Sequence, residues 1–268
     1  MMAHVRETTK LLRLIVESHH KVVVWFSGGK DSTTLLHLLR PYAEAIAVVT
    51  TIVDGGWPGI TEHVLKTCKI WGFDNLTLVS PLLTFAAYRA QFGWPTHLVP
   101  TAMDGVMPDP WYDGGPRVAS FWHCTALRVL QPLLEVTYAL QPDAVLTGSR
   151  ASDAPAFARI GPTTGLWEID PHLWTRYNPL HTWTTEEIWR YVDGHKIALP
   201  QHYSWKRTAT FEAPDCQLCP YSAAYVRHLQ AYDPQLYADL MAEFGPTLAR
   251  WQTVAEEELR QWEDISHG

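Results

Sequence analysis

The chain has 268 residues, of which 47% are hydrophobic and 18% are charged, and its formal net charge at pH 7 is −7. The hydrophobic share excludes a disordered chain, and the length suits one α/β domain with an appendage. The acidic balance argues against a protein that wraps nucleic acid by itself, since that needs a basic face. We therefore expect any nucleic-acid substrate to be held or delivered by a partner protein.

The amino-terminal segment lacks the uncharged apolar core of a signal peptide, because Lys10 and Arg13 interrupt it. No other run approaches the length of a membrane span. The 4 cysteines are too few for a disulfide scaffold in a chain of this length. The sequence predicts a cytoplasmic protein with reduced thiols and no membrane contact.

The first elements in chain order are an amphipathic helix over residues 5–18 and a strand over residues 22–26, which is apolar enough to be buried on both faces. Leucines at helical spacing follow from Leu35, so residues 27–32 form a strand-to-helix turn. We expect the helix to begin at Ser32 and Thr33.

This turn has the composition of a phosphate-binding loop. Gly28 and Gly29 let the backbone approach a ligand closely, the helix start presents unpaired N–H groups, and Lys30 adds a positive charge. A Walker A loop is excluded because Val24 stands where its first glycine should be and Asp31 where Ser or Thr should be. The dinucleotide fingerprint is excluded because its third glycine is missing.

Further strands and helices alternate along the chain. We predict a second strand ending at Asp54, a third at 76–80 and a fourth at 143–149, with helices from about 60 and over about 124–140. This alternation predicts a doubly wound, mainly parallel α/β sheet. In such sheets ligands bind beyond the carboxyl ends of the strands, where Ser27, Asp54 and Gly148 fall.

Two stretches have less regular patterns. Residues 84–120 are rich in Pro, Gly and Trp with little period, which indicates a long excursion that could cover the site. A capping box from Thr184 to Glu187 predicts a helix start, and two more helices are expected at 233–244 and 246–262. We predict a nucleotide-binding domain over 1–200 and a helical, cysteine-bearing region over 201–268.

Several motifs together carry a family resemblance. The loop SGGKDS resembles the pyrophosphate loop of the ATP pyrophosphatases, and HCTALRVLQPLL, TGSRASDAPAFAR and NPLHTWTTEEIWRYV are similar to motifs of one branch of them. The chain thus resembles the phosphoadenosine phosphosulfate (PAPS) reductase-like family of the pyrophosphate-loop (PP-loop) superfamily. The resemblance implies an adenine nucleotide alpha hydrolase-like, Rossmann-like fold.

The resemblance also implies roles for the loop residues. The loop would hold the β and γ phosphates of ATP, with Lys30 neutralising the leaving pyrophosphate and Ser27 and Ser32 donating hydroxyls. Asp31 either fixes the loop or holds Mg²⁺.

Outside the loop, Asp54 either lies near the nucleotide or caps the helix that starts near residue 60. Arg150 and Arg159 could grip a phosphate, acyl or sulfate anion, or could form surface ion pairs. We favour function for Arg150, which follows the fourth strand.

The cysteines form a second candidate constellation. By resemblance, Cys124 lies near the Cys216-x-x-Cys219 motif, and His123 stands where cluster-carrying relatives have another cysteine. A [4Fe-4S] cluster, a closed Zn²⁺ site and no metal at all remain open. Cys68 lies within a helical pattern and is expected to be buried.

The leading functional hypothesis is adenylation of an unidentified acceptor by ATP, with pyrophosphate release and sulfur transfer to the acceptor. A thiol-dependent sulfonucleotide reductase is the alternative, although the family's carboxyl-terminal catalytic cysteine is missing because no cysteine follows Cys219. A non-catalytic ATP-binding subunit of a DNA-modification or defence assembly is a third hypothesis. Whether the chain forms a homodimer is left open.

Overall fold

A computed structural model describes residues 2–54, 59–92, 94–96, 118–120, 126–151, 174–200 and 203, with six further positions between 234 and 242. The chain divides into two compact units. The first unit comprises Met1–Ile52, Gly59–Ser80 and Pro132–Gln217, and the second comprises Val53–Pro58, Pro81–Gln131 and Leu218–Gly268.

The helices and strands, in chain order, are α1 (Met2–Ser18), β1 (Val22–Trp25), α2 (Lys30–Leu38), a 3₁₀ segment (Arg40–Ala45), β2 (Ile46–Thr51), α3 (Ile60–Trp71), β3 (Leu76–Val79), α4 (Phe85–Phe92), β4 (Trp94–Thr96), β5 (Val118–Ser120), a π-helical turn (Ala126–Leu130), α5 (Gln131–Leu140), β6 (Ala144–Leu146), β7 (Thr175–Tyr177) and α6 (Thr185–Gly194). β4 and β5 pair in parallel in the second unit.

The sheet of the first unit has five parallel strands in the order β3-β2-β1-β6-β7. Val24 of β1 is in register with Val48 of β2 on one side and with Leu146 of β6 on the other. The strand order therefore reverses between β1 and β6, and ligands bind at this kind of reversal in open α/β sheets.

Both faces of the central strands are covered. Every residue of β1 and β2 is buried, as expected for a parallel sheet with helices on both sides. On one face Val23, Trp25 and Val145 form a core with Leu133 of α5. The indole N–H of Trp25 donates to Thr137 Oγ1 at 3.0 Å, so the one polar atom of this large side chain is satisfied inside the core.

The structure confirms the predicted fold class and most of the predicted elements of the first unit. The capping box is present, since the Glu187 N–H donates to Thr184 Oγ1 and the Thr184 N–H donates to the Glu187 carboxylate. No helix in the described part of the chain is long and apolar enough to span a membrane.

One predicted boundary was wrong, and several short elements were not predicted. α2 begins at Lys30 rather than Ser32, so the lysine belongs to the first turn of the helix. β7 was not predicted, because three half-buried residues at a sheet edge give little apolar pattern. Within 84–120, α4 and the short strands β4 and β5 occupy part of the stretch that showed no period.

Candidate active site

The phosphate-type loop lies between β1 and α2, at the reversal of strand order. Gly28 has φ +79°, a left-handed conformation that favours glycine, and a Cβ there would lie 3.0 Å from Val64 Cγ2 of α3. The loop therefore packs closely against α3 at a position where the backbone conformation favours glycine and a side chain would require Val64 to shift.

Gly148, just after β6, brings the two strand ends together. A Cβ on Gly148 would lie 2.8 Å from the backbone nitrogen of Ser32 and 2.9 Å from its Cα. Real Cβ atoms do not approach backbone this closely, so the absence of a side chain at Gly148 allows the β6 end to contact the first turn of α2. Of the three residues predicted at the carboxyl ends of strands, Ser27 and Gly148 lie in the first unit, while Asp54 lies in the second.

Two cations share one carboxylate in this first turn. Lys30 is only 2% exposed, and its Nζ donates to Asp31 Oδ2 at 2.8 Å. Arg150 is fully buried, and its Nε lies 2.9 Å from Asp31 Oδ1 in an ion pair that lacks hydrogen-bond alignment. Arg150 Nη1 also donates to Thr185 Oγ1 of α6 at 3.1 Å.

This geometry favours one of the two predicted roles of Asp31. Both of its carboxylate oxygens face cations, so the residue fits a counter-ion that fixes Lys30 and Arg150 better than it fits a Mg²⁺ ligand. Arg150 is held by Asp31 and Thr185 in the interior, which suits a residue that positions the loop.

The hydroxyl groups of the loop are engaged with one another and with the backbone. Ser27 Oγ and Ser32 Oγ lie 3.0 Å apart, Ser27 Oγ accepts the Gly29 N–H at 3.3 Å, and Ser32 Oγ donates to the Gly29 carbonyl at 3.1 Å. These contacts hold the backbone of the loop in one shape.

Two residues beside the loop were missed at the sequence level. Tyr203 accepts the backbone N–H of Lys30 through its hydroxyl at 3.0 Å. His63 of α3 lies next to Gly28, with its Cδ2 at 3.6 Å from where a Cβ of that glycine would be. Burial, and secondly the charge of Lys66, lower the pKa of His63 from 6.5 to about 4, so its imidazole is neutral at pH 7.

Neither residue could have been found from the motifs. Tyr203 lies in a stretch with no regular pattern, and its contact spans 173 residues of sequence. His63 stands at an ordinary position of an amphipathic helix, where helical spacing would have been the only signal.

Asp54 belongs to the second unit and makes contacts that the sequence did not predict. Its Oδ2 accepts the N–H of Phe85, the first residue of α4, at 2.6 Å. Arg128, which is 1% exposed, donates to the Asp54 carboxylate and, at 2.8 Å, to the Asp54 carbonyl. The expectation that Asp54 caps the helix near residue 60 was wrong, because Gly59 precedes α3 and no side chain caps it.

Arg128 makes a third contact with this loop region. Its Nε donates to the carbonyl of Leu83 at 3.3 Å, and the guanidinium lies 5.2 Å from the centre of the Phe85 ring. The Asp54–Arg128 pair thus fixes the start of α4 within the second unit.

The remaining predicted site residues lie outside the described residues: Arg159, His123, Cys124, Cys216 and Cys219. Among the described residues, no group of three or more His, Cys, Asp or Glu side chains could hold a metal ion. Cys68 is 1% exposed and burial raises the pKa of its thiol to about 12, in agreement with the expected structural role.

The sheet order and the SGGKDS loop at its reversal define a nucleotide-binding fold of the pyrophosphate-loop type. The family model for the phosphoadenosine phosphosulfate reductase domain matches residues 21–206. The chain belongs to this family, as the motifs predicted.

Curated relatives and a solved structure agree with this assignment. Sulfate adenylyltransferase subunit 2 of Proteus mirabilis (strain HI4320) is 25% identical over 77% of this chain and 68% of its own length. The protein of the same name from Mycobacterium tuberculosis (strain ATCC 25618 / H37Rv) is 24% identical over 85% of this chain and 72% of its own length.

A crystal structure of PAPS reductase from Candida auris in a phosphate complex has a TM-score of 0.50 to this chain at 16% identity. The match covers 74% of this chain and 84% of that one, and it supports the fold.

Proposed function

We propose that this chain binds ATP at the SGGKDS loop, adenylates an acceptor and releases pyrophosphate. The observation that carries the proposal is the buried group in which Lys30 and Arg150 share Asp31 at the reversal of strand order. A lysine ammonium and an arginine guanidinium beside the start of a helix are the contacts that suit a phosphate group.

The residues of the loop suit a triphosphate whose β and γ groups leave together. The first turn of α2 directs backbone N–H groups and the positive end of the helix dipole toward an anion. The Lys30 ammonium can move from Asp31 to a phosphate oxygen, because it is carried on a flexible four-carbon chain. Each of these contacts would stabilise the charge that develops on pyrophosphate.

The reaction is a displacement at the α-phosphorus. An acceptor oxygen forms a bond to this phosphorus, the bond from it to the bridging oxygen of the β phosphate breaks, and pyrophosphate leaves with the electron pair. Mg²⁺ would neutralise charge on the phosphates when bound. Because both oxygens of Asp31 face cations, the protein groups of the loop that would be available to Mg²⁺ are the hydroxyls of Ser27 and Ser32.

Sulfate is the first acceptor to test, because the curated relatives are named sulfate adenylyltransferase. Their name also specifies subunit 2, so we propose a partner subunit for this chain as well. A membrane-bound role is not part of the proposal, and we place the reaction in the cytoplasm.

The test is release of pyrophosphate from Mg²⁺-ATP with and without sulfate, together with the ATP affinity from calorimetry. Lys30→Met is expected to lower the rate by ~10²–10³-fold, as for loss of one preorganised charge donor. Lys21→Met is the matched control, because Lys21 precedes the other end of β1 and is exposed. A wild-type chain that neither binds ATP nor releases pyrophosphate with any acceptor would contradict the proposal.

Sulfur transfer to the adenylated acceptor is the finer part of the proposal. It depends on Cys124, Cys216 and Cys219 as cluster ligands, which would leave one iron for His123, water or a transferable sulfide. Arg159 remains a proposed anion contact. Iron, sulfide and zinc analysis of anaerobically purified protein tests it: matching iron and sulfide would support a [4Fe-4S] cluster. Stoichiometric zinc or no metal would leave adenylation without sulfur transfer.

A further inference from the structure

The hydroxyl of Tyr203 accepts a hydrogen bond from a backbone N–H of the proposed nucleotide site. It accepts the N–H of Lys30 at 3.0 Å, and Tyr203 is 4% exposed. Its ring packs edge-to-face on Trp189 of α6, with 5.6 Å between ring centres. The backbone N–H of Tyr203 donates to the Pro200 carbonyl at 3.1 Å, so a local turn holds the residue in this position.

Lys30 is the first residue of α2, and the first N–H groups of a helix have no acceptor within the helix. The first intrahelical bond here is donated by Thr33 to the Gly29 carbonyl. The Lys30 N–H is therefore one of the donors that a phosphate at the helix start would use. In this structure the acceptor is a neutral phenol oxygen from a residue that follows α6.

The side chain of the same lysine is also held by the protein, since its Nζ donates to Asp31. Both the backbone and the side-chain donor of Lys30 thus have protein acceptors. A ligand that takes these donors has to replace Tyr203 and to draw the ammonium from Asp31.

We infer that Tyr203 is a place-holder for a ligand oxygen at the Lys30 N–H, and that the phosphate chain of a bound nucleotide displaces it. The inference rests on the proposed function for the identity of the ligand. The exchange is favourable because hydrogen bonds to an anionic oxygen are stronger than those to a neutral one. When no ligand is bound, the phenol oxygen accepts a hydrogen bond from this buried N–H, which would otherwise have no acceptor.

The first test is the affinity for pyrophosphate of the full chain carrying Tyr203→Phe, measured by calorimetry. A place-holder destabilises bound ligand by competition, so the variant should bind pyrophosphate about 5-fold more tightly, which is the size of one ordinary hydrogen bond. A tyrosine that holds the loop in its binding shape predicts the opposite sign, and weaker or unchanged binding would overturn the inference.

Tyr191→Phe is the matched control. Tyr191 is 3% exposed, and its hydroxyl is hydrogen-bonded to His37 Nδ1 at 2.8 Å, near the other end of α2. Removing this hydroxyl deletes a comparable buried hydrogen bond away from the loop. We expect lower stability and unchanged pyrophosphate affinity for this variant.

The second test uses the wild-type protein, so it does not depend on how a variant folds. Hydrogen exchange at the Tyr203 amide should become faster when pyrophosphate is added, because release of the ring opens the turn that protects this N–H. Slower or unchanged exchange would overturn the inference. If wild-type protein binds neither pyrophosphate nor ATP, the proposed function itself fails, and that result is distinct from either outcome for Tyr203.

Discussion

Two buried arginines, one in each unit, face an aspartate and differ in what else they contact. Arg150 of the first unit pairs with Asp31, which Lys30 also contacts. Arg128 of the second unit pairs with Asp54 and also donates hydrogen bonds to the backbone carbonyls of Asp54 and Leu83. Arg150 is fully buried and Arg128 is 1% exposed, so burial alone does not distinguish them.

The difference lies in the position of each arginine in its unit. The further contacts of Arg128 fix local backbone, as expected of a structural ion pair, and Asp54 accepts the N–H of the first residue of α4. Arg150 lies with Lys30 and Asp31 at the first turn of α2, where strand order reverses. An incoming anion can use the cations and the helix start of the first unit, whereas in the second unit Asp54 already faces the start of α4.

Arg150→Met should have the largest effect on pyrophosphate release, and this effect should distinguish Arg150 from Arg128. The substitution would remove one of the two cations that contact Asp31, so a guanidinium beside the loop would be lost and Asp31 would hold Lys30 more firmly. We expect kcat/KM for pyrophosphate release to fall by ~10²-fold, which is the scale of one lost electrostatic contact. Steady-state kinetics with Mg²⁺-ATP, together with circular dichroism to check folding, measure this effect.

Arg128→Met is the counterpart in the second unit. It removes the cation that pairs with Asp54 and the donor to two carbonyls, while the Phe85 N–H still donates to the Asp54 carboxylate. The free energy of unfolding should fall by about 1–3 kcal/mol, because the Asp54 side chain is half-exposed. Denaturant unfolding measures the loss. In this variant kcat/KM for pyrophosphate release should remain near that of the wild type. A fall in kcat/KM as large as that of Arg150→Met would show that both arginines contribute to the reaction.

Gly148→Ala tests the contact that brings the β6 end to the loop. The added Cβ would lie 2.8 Å from the Ser32 nitrogen, so the first turn of α2 has to shift, at a cost of about 1–3 kcal/mol. Thermal unfolding should show this loss of stability, and the affinity of the variant for pyrophosphate should also fall. Gly194→Ala is the control, because a Cβ at Gly194 meets no heavy atom within 4 Å. Equal behaviour of the two variants would argue against the close contact.

The sequence predicted the loop and the parallel sheet because each depends on a local pattern. Residues 22–25 are apolar throughout, and the loop composition itself indicates a phosphate. The partners of the loop were harder to predict, since the contact of Tyr203 spans 173 residues and that of Arg128 with Asp54 spans 74. No local pattern specifies which distant side chain fills such a position, and β7 was missed because a three-residue edge strand carries almost no pattern.

The smallest expected effect is the pH dependence of stability that is due to His63, which lies beside the loop. Burial, and secondly Lys66, lower the pKa of His63 from 6.5 to about 4 in the folded chain. Between these pH values the unfolded chain binds a proton that the folded chain does not, so stability falls as pH decreases from 6.5 to 4. His37 contributes in the same direction, because burial and the charges of His195 and Arg40 lower its pKa to about 4.

His63→Gln should therefore reduce, without abolishing, the fall in the unfolding midpoint between pH 7 and pH 5, while His20→Gln, at an exposed position, should leave it unchanged. Denaturant titrations at several pH values measure both slopes. If His63→Gln has no effect, the folded protein takes up the proton as readily as the unfolded chain does. His63 would then add a positive charge beside Gly28 of the loop, and pyrophosphate binding should strengthen as pH falls below 6.5. A neutral His63 predicts no such strengthening, so the same titrations with pyrophosphate present decide whether His63 is charged at the loop.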